Sequence, residues 1–292
     1  MSSSAHRTLR RSARDRALQI ITNGSAATAV VVLLLIVLFL CVESRPALQR
    51  IGVWRFATDD GWYPTADRFN VLPIVAGTVL TTIGAVIIAA PSGIASAVLT
   101  CFYAPPVLAG LYRKLVELLA GIPSVVFGLW GLVSLVPLLA DRDQSGQGLL
   151  VASIVLSLMI LPMVALTAMT ALQNVPAELI AGGAALGLRR STIVWRIVLP
   201  AARRGMITGI LLATCRALGE TMAVVMVAGN VVQFPDSISA PVRTLTANMA
   251  LEMGYATSSH RSVLFVSGLL LLMASMGVVM LLTGSPRQRT DS

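Results

Sequence analysis

Charged side chains are scarce in this 292-residue sequence, and lysine is almost missing from it. Asp, Glu, Lys and Arg make up 12% of the residues, whereas a soluble globular domain carries about 25%. Lys114 is the single lysine, and no glycine-rich loop ends in Gly-Lys-Ser or Gly-Lys-Thr. Since that loop holds the phosphates in many nucleotide hydrolases, we expect that the chain does not itself hydrolyse ATP.

Residues that bind metals or act as nucleophiles are also few. His6 and His260 are the two histidines, and they are too far apart in sequence to indicate a joint site. Neither His-Glu-x-x-His nor Gly-x-Ser-x-Gly occurs. Cys41, Cys101 and Cys215 lack metal-site spacing and are interpreted as small apolar packing residues. We therefore predict no catalytic residue, no metal and no cofactor in this chain.

Long apolar runs are abundant instead. Hydrophobic residues make up 56% of the chain, and about 20 apolar residues cross ~30 Å of hydrocarbon as a helix. Because backbone groups in lipid must be paired within the segment, the predicted fold is an all-α integral membrane protein. Pro91 and Pro123 are expected to kink the second and third spans. Six spans are predicted, at about 25–42, 71–100, 114–139, 149–172, 206–232 and 263–282.

The first span is predicted to stay in the mature protein. Its apolar run exceeds that of a secretory signal, and no small-x-small cleavage site follows it. Trp54, Trp62 and Tyr63 come after it and are interpreted as anchors at the membrane surface.

Basic residues are divided unequally between the two sides of the membrane. The predicted topology puts 14 of the 22 Lys and Arg residues on one side and seven on the other, with Arg216 inside a span. By the positive-inside rule, both termini and the 173–205 loop are expected in the cytoplasm. The net charge of +9 is thus mainly a topology signal, and no basic soluble domain is long enough to bind nucleic acid.

Residues 176–200, called the foot below, are the most informative stretch. The opening proline suits a first helical turn, and Glu178 complements the positive end of the helix. Gly187 can adopt positive φ and end that helix. Ser191 can cap a second helix, which Pro200 is expected to stop. This helix–turn–helix is either a hairpin lying on lipid headgroups or a docking element for a cytoplasmic partner.

The foot also carries a resemblance. Its glycine, followed after nine residues by Ile-Val-Leu-Pro, resembles the cytoplasmic coupling loop of bacterial ABC importer permeases. The resemblance runs over about residues 70–282 and implies the type I permease architecture. Four further stretches are similar to phosphate-import permeases of the PstC type: Tyr103-Ala104-Pro105-Pro106, Leu119 to Gly131, Arg216 to Val224, and Thr244-Leu245-Thr246-Ala247-Asn248.

The resemblance implies a bacterial inner-membrane permease that works with several partners. These are a sister permease of the PstA type, a cytoplasmic ATPase dimer that binds the ATP, an extracytoplasmic phosphate-binding protein and the surrounding lipid. The implied division is a basic cytoplasmic tail (1–25), a first membrane helix with an outer loop (26–70), a permease domain (71–282) containing the 173–205 coupling loop, and a cytoplasmic tail (283–292).

The residues expected to engage the ATPase are, by this resemblance, Glu178, Gly187, Leu188, Arg189 and Arg190. One position departs from the family pattern. The family usually has Glu-Ala-Ala six residues before the glycine, where this chain has alanine, glycine and glycine at 181–183. Either Glu178 takes over the missing contact, or docking depends on apolar contacts and the two arginines, or coupling is reduced.

Arg216 and Glu220 are the most pointed pair of charges, because both fall inside the predicted fifth span. At four residues apart they share one helix face and can pair. Each costs about 2.5–3.5 kcal/mol at the centre of a membrane helix. One interpretation is an ion pair that fixes helix packing. The other is that Arg216 lowers the barrier for a passing phosphate, while Glu220 holds Arg216 in place between passages.

Gly121-Ile122-Pro123-Ser124 is predicted to interrupt the third span. A break at membrane depth frees backbone groups that must face protein or water, and in transporters such breaks often mark the pathway. Ser124 can then offer its hydroxyl to a phosphate oxygen; a plain proline kink is the alternative. Gly128 and Gly131 are expected to permit close helix packing.

Three other functions remain open at this point. The chain is alternatively a permease for another oxyanion such as sulfate or molybdate, an ion-coupled secondary transporter or channel, or a membrane scaffold. A secondary carrier has no need of an ATPase dock, and a scaffold leaves the two intramembrane charges unexplained.

Overall fold

The computed structural model describes residues 3–140 and 145–283, with the side chains of 15, 16, 18–140 and 145–281. The predicted cytoplasmic tail at 283–292 lies outside these residues from 284 onward. Also outside them are the side chains of His6, Arg7, Arg10, Arg11 and Arg14.

Helices make up most of the described chain, and a two-stranded hairpin follows the first two of them. Strands β1 (Trp62–Tyr63) and β2 (Arg68–Phe69) pair antiparallel, with Trp62 opposite Phe69. The helices are α1 (Ser3–Arg50), α2 (Arg55–Thr58), α3 (Leu72–Val98), α4 (Pro106–Ala120), α5 (Ser124–Trp130), α6 (Val136–Leu139), α7 (Leu149–Gln173), α8 (Ala177–Ala185), α9 (Arg190–Ile193), α10 (Leu199–Leu218), α11 (Met222–Val227), α12 (Leu245–Glu252) and α13 (Ser258–Thr283). Single π-helical turns occur at Leu99–Tyr103, Gly131–Leu135 and Val194–Val198, and a 3₁₀ turn at Pro64–Ala66.

The predicted all-α membrane fold with about six spans is confirmed. Among the described residues, a sixth crossing is obtained when the bent helices on either side of Pro123 are counted as one. The five unbroken helices that are long and apolar enough to cross a membrane are Leu18–Arg50, Leu72–Tyr103, Leu149–Gln173, Arg190–Leu218 and Ser258–Leu281.

The third predicted span, 114–139, is broken at Pro123, as the sequence predicted, and the break is a sharp turn rather than a slight kink. The chain turns by 93° between α4 and the helix that starts at Ser124. Pro123 causes the break, because proline disfavours helical geometry in the residue before it and donates no hydrogen bond. The helix before the break also begins earlier than residue 114, because α4 already starts at Pro106.

The fifth predicted span, 206–232, is shifted along the chain. The spanning helix begins at Arg190 and ends at Leu218, so Pro200 does not stop it as expected. Just before Pro200 the helix widens into the π turn, where the Leu199 N–H bonds to the Val194 carbonyl. This local change in hydrogen bonding accommodates the proline within one continuous helix.

Close packing of α3 against α7 forms the centre of the core. A Cβ placed on Gly93 would lie 2.8 Å from Val164 Cγ1, and one on Gly84 would overlap Ser153. Ala85 and Ala89, on the same helix, are fully buried. Small residues therefore bring the two backbones together, as membrane helices require where there is little hydrophobic drive between them.

Helix α1 is peripheral by comparison. It packs along α13, where the rings of Phe39 and Phe265 meet edge to face with centroids 5.4 Å apart. The apolar stretch of α1 is otherwise exposed on the isolated chain. That surface suits contact with lipid or with another subunit.

A buried polar cluster joins the β1–β2 hairpin to helices α12 and α13. Glu252 is 5% exposed and accepts hydrogen bonds from Trp62 Nε1 at 2.9 Å and from Arg243 Nη1 at 2.6 Å. Oε2, the oxygen that accepts from Trp62 at 2.9 Å, also lies 2.8 Å from His260 Nε2, whereas Arg243 bonds to Oε1. Trp62 is thus buried, and its interpretation as a surface anchor is wrong; Trp54 and Tyr63 are exposed.

We predict that Glu252→Ala lowers stability strongly, because it leaves Arg243 and His260 buried without their carboxylate partner. Breaking a buried charge pair costs about 3–5 kcal/mol, which is on the order of 10 °C in melting temperature for a domain of this size. Thermal unfolding of the detergent-purified protein measures the shift.

Glu117→Ala is the matched control for this prediction. Glu117 pairs with Arg113 on α4 with both side chains half-exposed, and such pairs contribute little to stability. Equal melting temperatures for the two variants would contradict the role assigned to the buried cluster.

Candidate functional site

Two helix breaks lie side by side in the fold. The first is Gly121–Pro123, before α5, and the second is Gly219–Thr221, between α10 and α11. A Cβ on Gly128 would lie 2.7 Å from Ala223 Cα, and one on Gly131 would lie 3.1 Å from Val227 Cγ1. This register shows that α5 and α11 run parallel, so both breaks are at the same end of the pair. The predicted role of the two glycines in close packing is confirmed.

Ser124 is the first residue of α5, directly after the break at Pro123, and its side chain is half-buried. The break itself is held by hydrogen bonds from the Ile122 N–H to the Leu119 carbonyl and from the Val126 N–H to the Pro123 carbonyl. The predicted interruption at 121–124 is therefore present.

Glu220 does not pair with Arg216, and the expected ion pair on one helix face is wrong. Helix α10 ends at Leu218 with Gly219 as its C-cap, so the four-residue spacing no longer places the two side chains on one helix. The Glu220 carboxylate instead accepts a hydrogen bond of 3.2 Å from the Ala223 N–H. It caps the start of α11, where negative charge complements the helix dipole.

Arg216 lies in the last turn of α10 with its side chain exposed on the isolated chain. Among the described residues it has neither a hydrogen-bond nor an ion-pair partner. A guanidinium facing lipid at this depth is costly. The face that carries Arg216 is therefore suited to water or to another protein rather than to hydrocarbon.

Threonines of the 244–248 stretch hold the second break in place, a role that their sequence pattern did not predict. Thr246 Oγ1 donates a 2.7 Å hydrogen bond to the Glu220 carbonyl. Thr244 caps α12 by accepting from the Ala247 N–H, and the Leu245 N–H donates to Thr78 Oγ1 on α3 at 2.9 Å. The pattern that could have predicted this capping is Thr244 directly before a helix, since threonine is a preferred N-cap residue.

The foot is a helix–turn–helix, as its sequence predicted. Helix α8 carries Glu178 in its exposed first turn and ends at Ala185, with Leu186 as its C-cap and Gly187, which has φ +72°, directly after it. The Gly187 N–H bonds to the Ala184 carbonyl and the Leu188 N–H to the Gly183 carbonyl, which is the Schellman arrangement. The second helix starts two residues earlier than predicted, with Arg189 rather than Ser191 as its N-cap.

The foot presents an apolar and basic surface. Leu186 is 81% exposed and Trp195 is 68% exposed, beside the exposed side chains of Arg189 and Arg190. The Arg190 guanidinium lies 5.8 Å from the Tyr103 ring centroid, within cation–π range. Large apolar side chains rimmed by charge are typical of a protein-docking surface.

One continuous helix joins the foot to Arg216. Arg189 caps its start, and the helical stretch from Arg190 runs through the π turn and α10 to Leu218. At 1.5 Å per residue this helix is about 40 Å long. The foot and the exposed arginine therefore lie at the two ends of a single helix, which stops at the second break.

Fold and site together define a class of protein, a polytopic helical permease of the ABC importer type. The sequence model of the family described as binding-protein-dependent transport system inner membrane component matches residues 89–285. The chain belongs to this family. It is accordingly a multi-pass protein of the bacterial inner membrane.

Curated relatives match over most of their length. The phosphate transport system permease protein PstC of Xylella fastidiosa is 32% identical, over 94% of this chain and 91% of that protein. PstC of Mesorhizobium japonicum is 35% identical, over 92% and 89%. The probable ABC transporter permease protein YqgH of Bacillus subtilis is 36% identical, over 90% and 88%.

Solved structures of ABC importers share the fold. A bacterial alginate ABC transporter in complex with its alginate-bound periplasmic protein aligns with a TM-score of 0.65 at 12% identity, covering 96% of this chain and 98% of that one. The inward-facing MetNI methionine transporter aligns with a TM-score of 0.55 at 18% identity, covering 82% and 99%.

We predict that a cysteine at position 124 reacts with a charged, water-soluble thiol reagent, because the adjoining break requires water or protein contact at membrane depth. The Ser124→Cys variant is made in a background whose three native cysteines are replaced. Leu34→Cys is the control, since Leu34 lies on the exposed apolar face of α1. Absence of labelling at 124 in every state of the protein would exclude a wet pathway at this break.

We predict that Gly183→Val loosens the foot and Gly182→Val does not. A Cβ on Gly183 would lie 2.8 Å from Ile197 Cδ1 and 3.2 Å from Ile193 Cγ1, whereas a Cβ on Gly182 meets nothing within 4 Å. Both variants make the same change to helix propensity, so their difference isolates packing. Amide hydrogen exchange in α8 should be at least about tenfold faster in the Gly183 variant alone.

Proposed function

We propose that this chain is a permease subunit of an ATP-driven importer of inorganic phosphate. The observation that carries the proposal is Arg216, which lies at the end of the helix that begins in the foot and has no partner within the part of the chain that the structure describes. Phosphate carries one to two negative charges near neutral pH, so a fixed positive charge lowers the cost of moving it through a region of low dielectric. The phosphate permeases among the curated relatives support the choice of this anion.

In this proposal the foot lies in the cytoplasm, as do both termini. The ATPase dimer binds the surface formed by Leu186, Leu188, Trp195, Arg189 and Arg190. Glu178 is exposed one helical turn before the alanine that replaces the family's glutamate, and it supplies acidic contact there. Closure of the ATPase on binding ATP then moves the Arg190–Leu218 helix as a unit.

The sister permease covers the face that carries Arg216. Helix α5 leaves Val125, Leu129 and Trp130 about half-exposed beside the first break. These apolar side chains, together with the costly exposed arginine, favour a partner helix rather than lipid. The translocation pathway lies between the two subunits, with Arg216, Pro123 and Ser124 on its wall and Glu220 supporting it by capping α11.

An extracytoplasmic phosphate-binding protein delivers the anion to the opposite side. The 43–70 and 233–262 segments form that surface, and the Glu252 cluster holds them together. Selection between phosphate and another oxyanion is made largely by the binding protein, and sulfate or molybdate is the alternative cargo.

We predict that Arg216→Gln lowers phosphate uptake by at least about 30-fold. Removing one partner of a buried charge interaction costs about 2–5 kcal/mol, and each 1.36 kcal/mol is tenfold in rate. Uptake of radiolabelled phosphate is measured in cells that depend on this transporter, with excess sulfate or molybdate as competitors.

Two variants control this experiment. Arg204→Gln removes an exposed charge from the middle of the same helix and should leave uptake within about threefold of the wild-type rate. Arg216→Lys keeps the positive charge and should retain part of the activity. Normal uptake by Arg216→Gln would overturn the role of Arg216, and competition by sulfate or molybdate rather than by unlabelled phosphate would overturn the choice of cargo.

A further inference from the structure

A cavity of about 480 Å³ lies where the end of α1 meets the start of α13 and the segment that follows α1. This volume is within the range of small-ligand sites. The residues that line the cavity are distant in sequence from the foot and from Arg216. The polar residues that line it are Arg50, Arg55, Asp67, Ser258, Ser259 and Ser262.

The cavity is lined by positive charge that the protein does not neutralise fully. Arg50 has no hydrogen-bond or ion-pair partner among the described residues. Arg55 uses Nε and Nη2 on the Asp59 carboxylate and Nη2 also on the Asp67 carbonyl. Its Nη1 group takes part in none of these bonds, so two guanidinium groups have donors available to an anion.

Serine hydroxyl groups and the N-terminus of α13 add neutral hydrogen-bond donors to the lining of the cavity. Ser258 and Ser259 are the first two residues of α13, a 26-residue helix whose leading N–H groups lack intrahelical acceptors. Ser262 is buried, 7% exposed, and donates a 3.2 Å hydrogen bond to the Ser258 carbonyl. Because the Ser262 hydroxyl proton is used in this bond, the donors that remain for an anion are at the start of α13.

Asp67 gives the cavity a mixed character. Asp67 is exposed and lines the same space; a carboxylate there repels a bare anion, but it can accept a hydrogen bond from an ammonium group. Two guanidinium groups and one carboxylate therefore match a zwitterionic group better than a multiply charged anion.

The position of the cavity relative to the membrane agrees with this chemistry. Arg50 is the last residue of the apolar spanning stretch Leu18–Arg50. Trp54, four residues further on, is 82% exposed, and exposed tryptophan is typical of the headgroup layer. The opening is thus at the level of phospholipid headgroups, on the side that the charge distribution makes extracytoplasmic.

We propose that this cavity binds a phosphate group, either the phosphodiester of an outer-leaflet phospholipid with an ethanolamine headgroup or free inorganic phosphate. Arg50 and Arg55 bind the phosphate oxygens together with the start of α13. Asp67 accepts from the ethanolamine ammonium when the ligand is the lipid. The site is separate from the proposed translocation pathway, and its occupancy does not depend on transport.

Binding to the full-length chain in mild detergent tests the proposal in two arms. Native mass spectrometry measures retention of phosphatidylethanolamine and of phosphatidylcholine, whose quaternary ammonium cannot donate to Asp67. Equilibrium dialysis measures radiolabelled inorganic phosphate. The variant is Arg50→Gln, and Arg45→Gln is the matched control, because Arg45 is an exposed arginine on α1 that does not line the cavity.

In the supporting result, Arg50→Gln weakens binding about tenfold or more, as expected for the loss of a charge-assisted hydrogen bond, while Arg45→Gln and Arg50→Lys bind nearly as the wild type does. Loss in the first arm, with a preference for phosphatidylethanolamine, identifies the lipid headgroup. Loss in the dialysis arm identifies inorganic phosphate. Equal binding by Arg50→Gln and Arg45→Gln in both arms overturns the proposal, whatever the transporter's cargo is.

Discussion

Close contact between α3 and α7 is the constraint on which the rest of the structure depends. In a bilayer, apolar side chains gain little by leaving lipid for protein, so helices associate through close packing. Glycine and alanine on α3 allow that approach, with Gly84 against Ser153 and Gly93 against Val164. Helix α10 packs on the same pair, with Gly209 against Thr167. Any larger side chain at these positions displaces the helices that carry both breaks.

The α3–α7 pair forms the core against which the helix that joins the foot to Arg216 packs. One helix joins the foot to Arg216, and the capping of α11 by Glu220 and the hydrogen bond from Thr246 fix the point where that helix stops. In the described chain, no unstructured loop lies at either end of this helix, because both the Gly187 turn and the second break are closed by hydrogen bonds. In the proposed importer, this rigidity converts ATPase closure into displacement at the pathway.

Local sequence chemistry predicted much of the candidate site. Positive φ at Gly187, the break at Pro123 and the close packing at Gly128 all follow from what glycine and proline do to a backbone. The expected pairing of Arg216 with Glu220 failed because it assumed an unbroken helix through Gly219. The Trp62–Glu252 contact joins residues 190 positions apart, and a single sequence has no pattern that brings such residues together.

The sequence by itself determined the surrounding medium, a lipid bilayer, and the helical conformation of the backbone. Its apolar runs require a bilayer, the bilayer requires helices, and glycine and proline set most of the places where those helices turn. Tertiary structure decided which charges are paired. Glu220 caps a helix, Glu252 joins a buried cluster, and Arg216 has no hydrogen-bond or ion-pair partner among the described residues. The reason is that backbone preference acts over a few neighbouring residues, whereas the partner of a side chain depends on how distant helices pack.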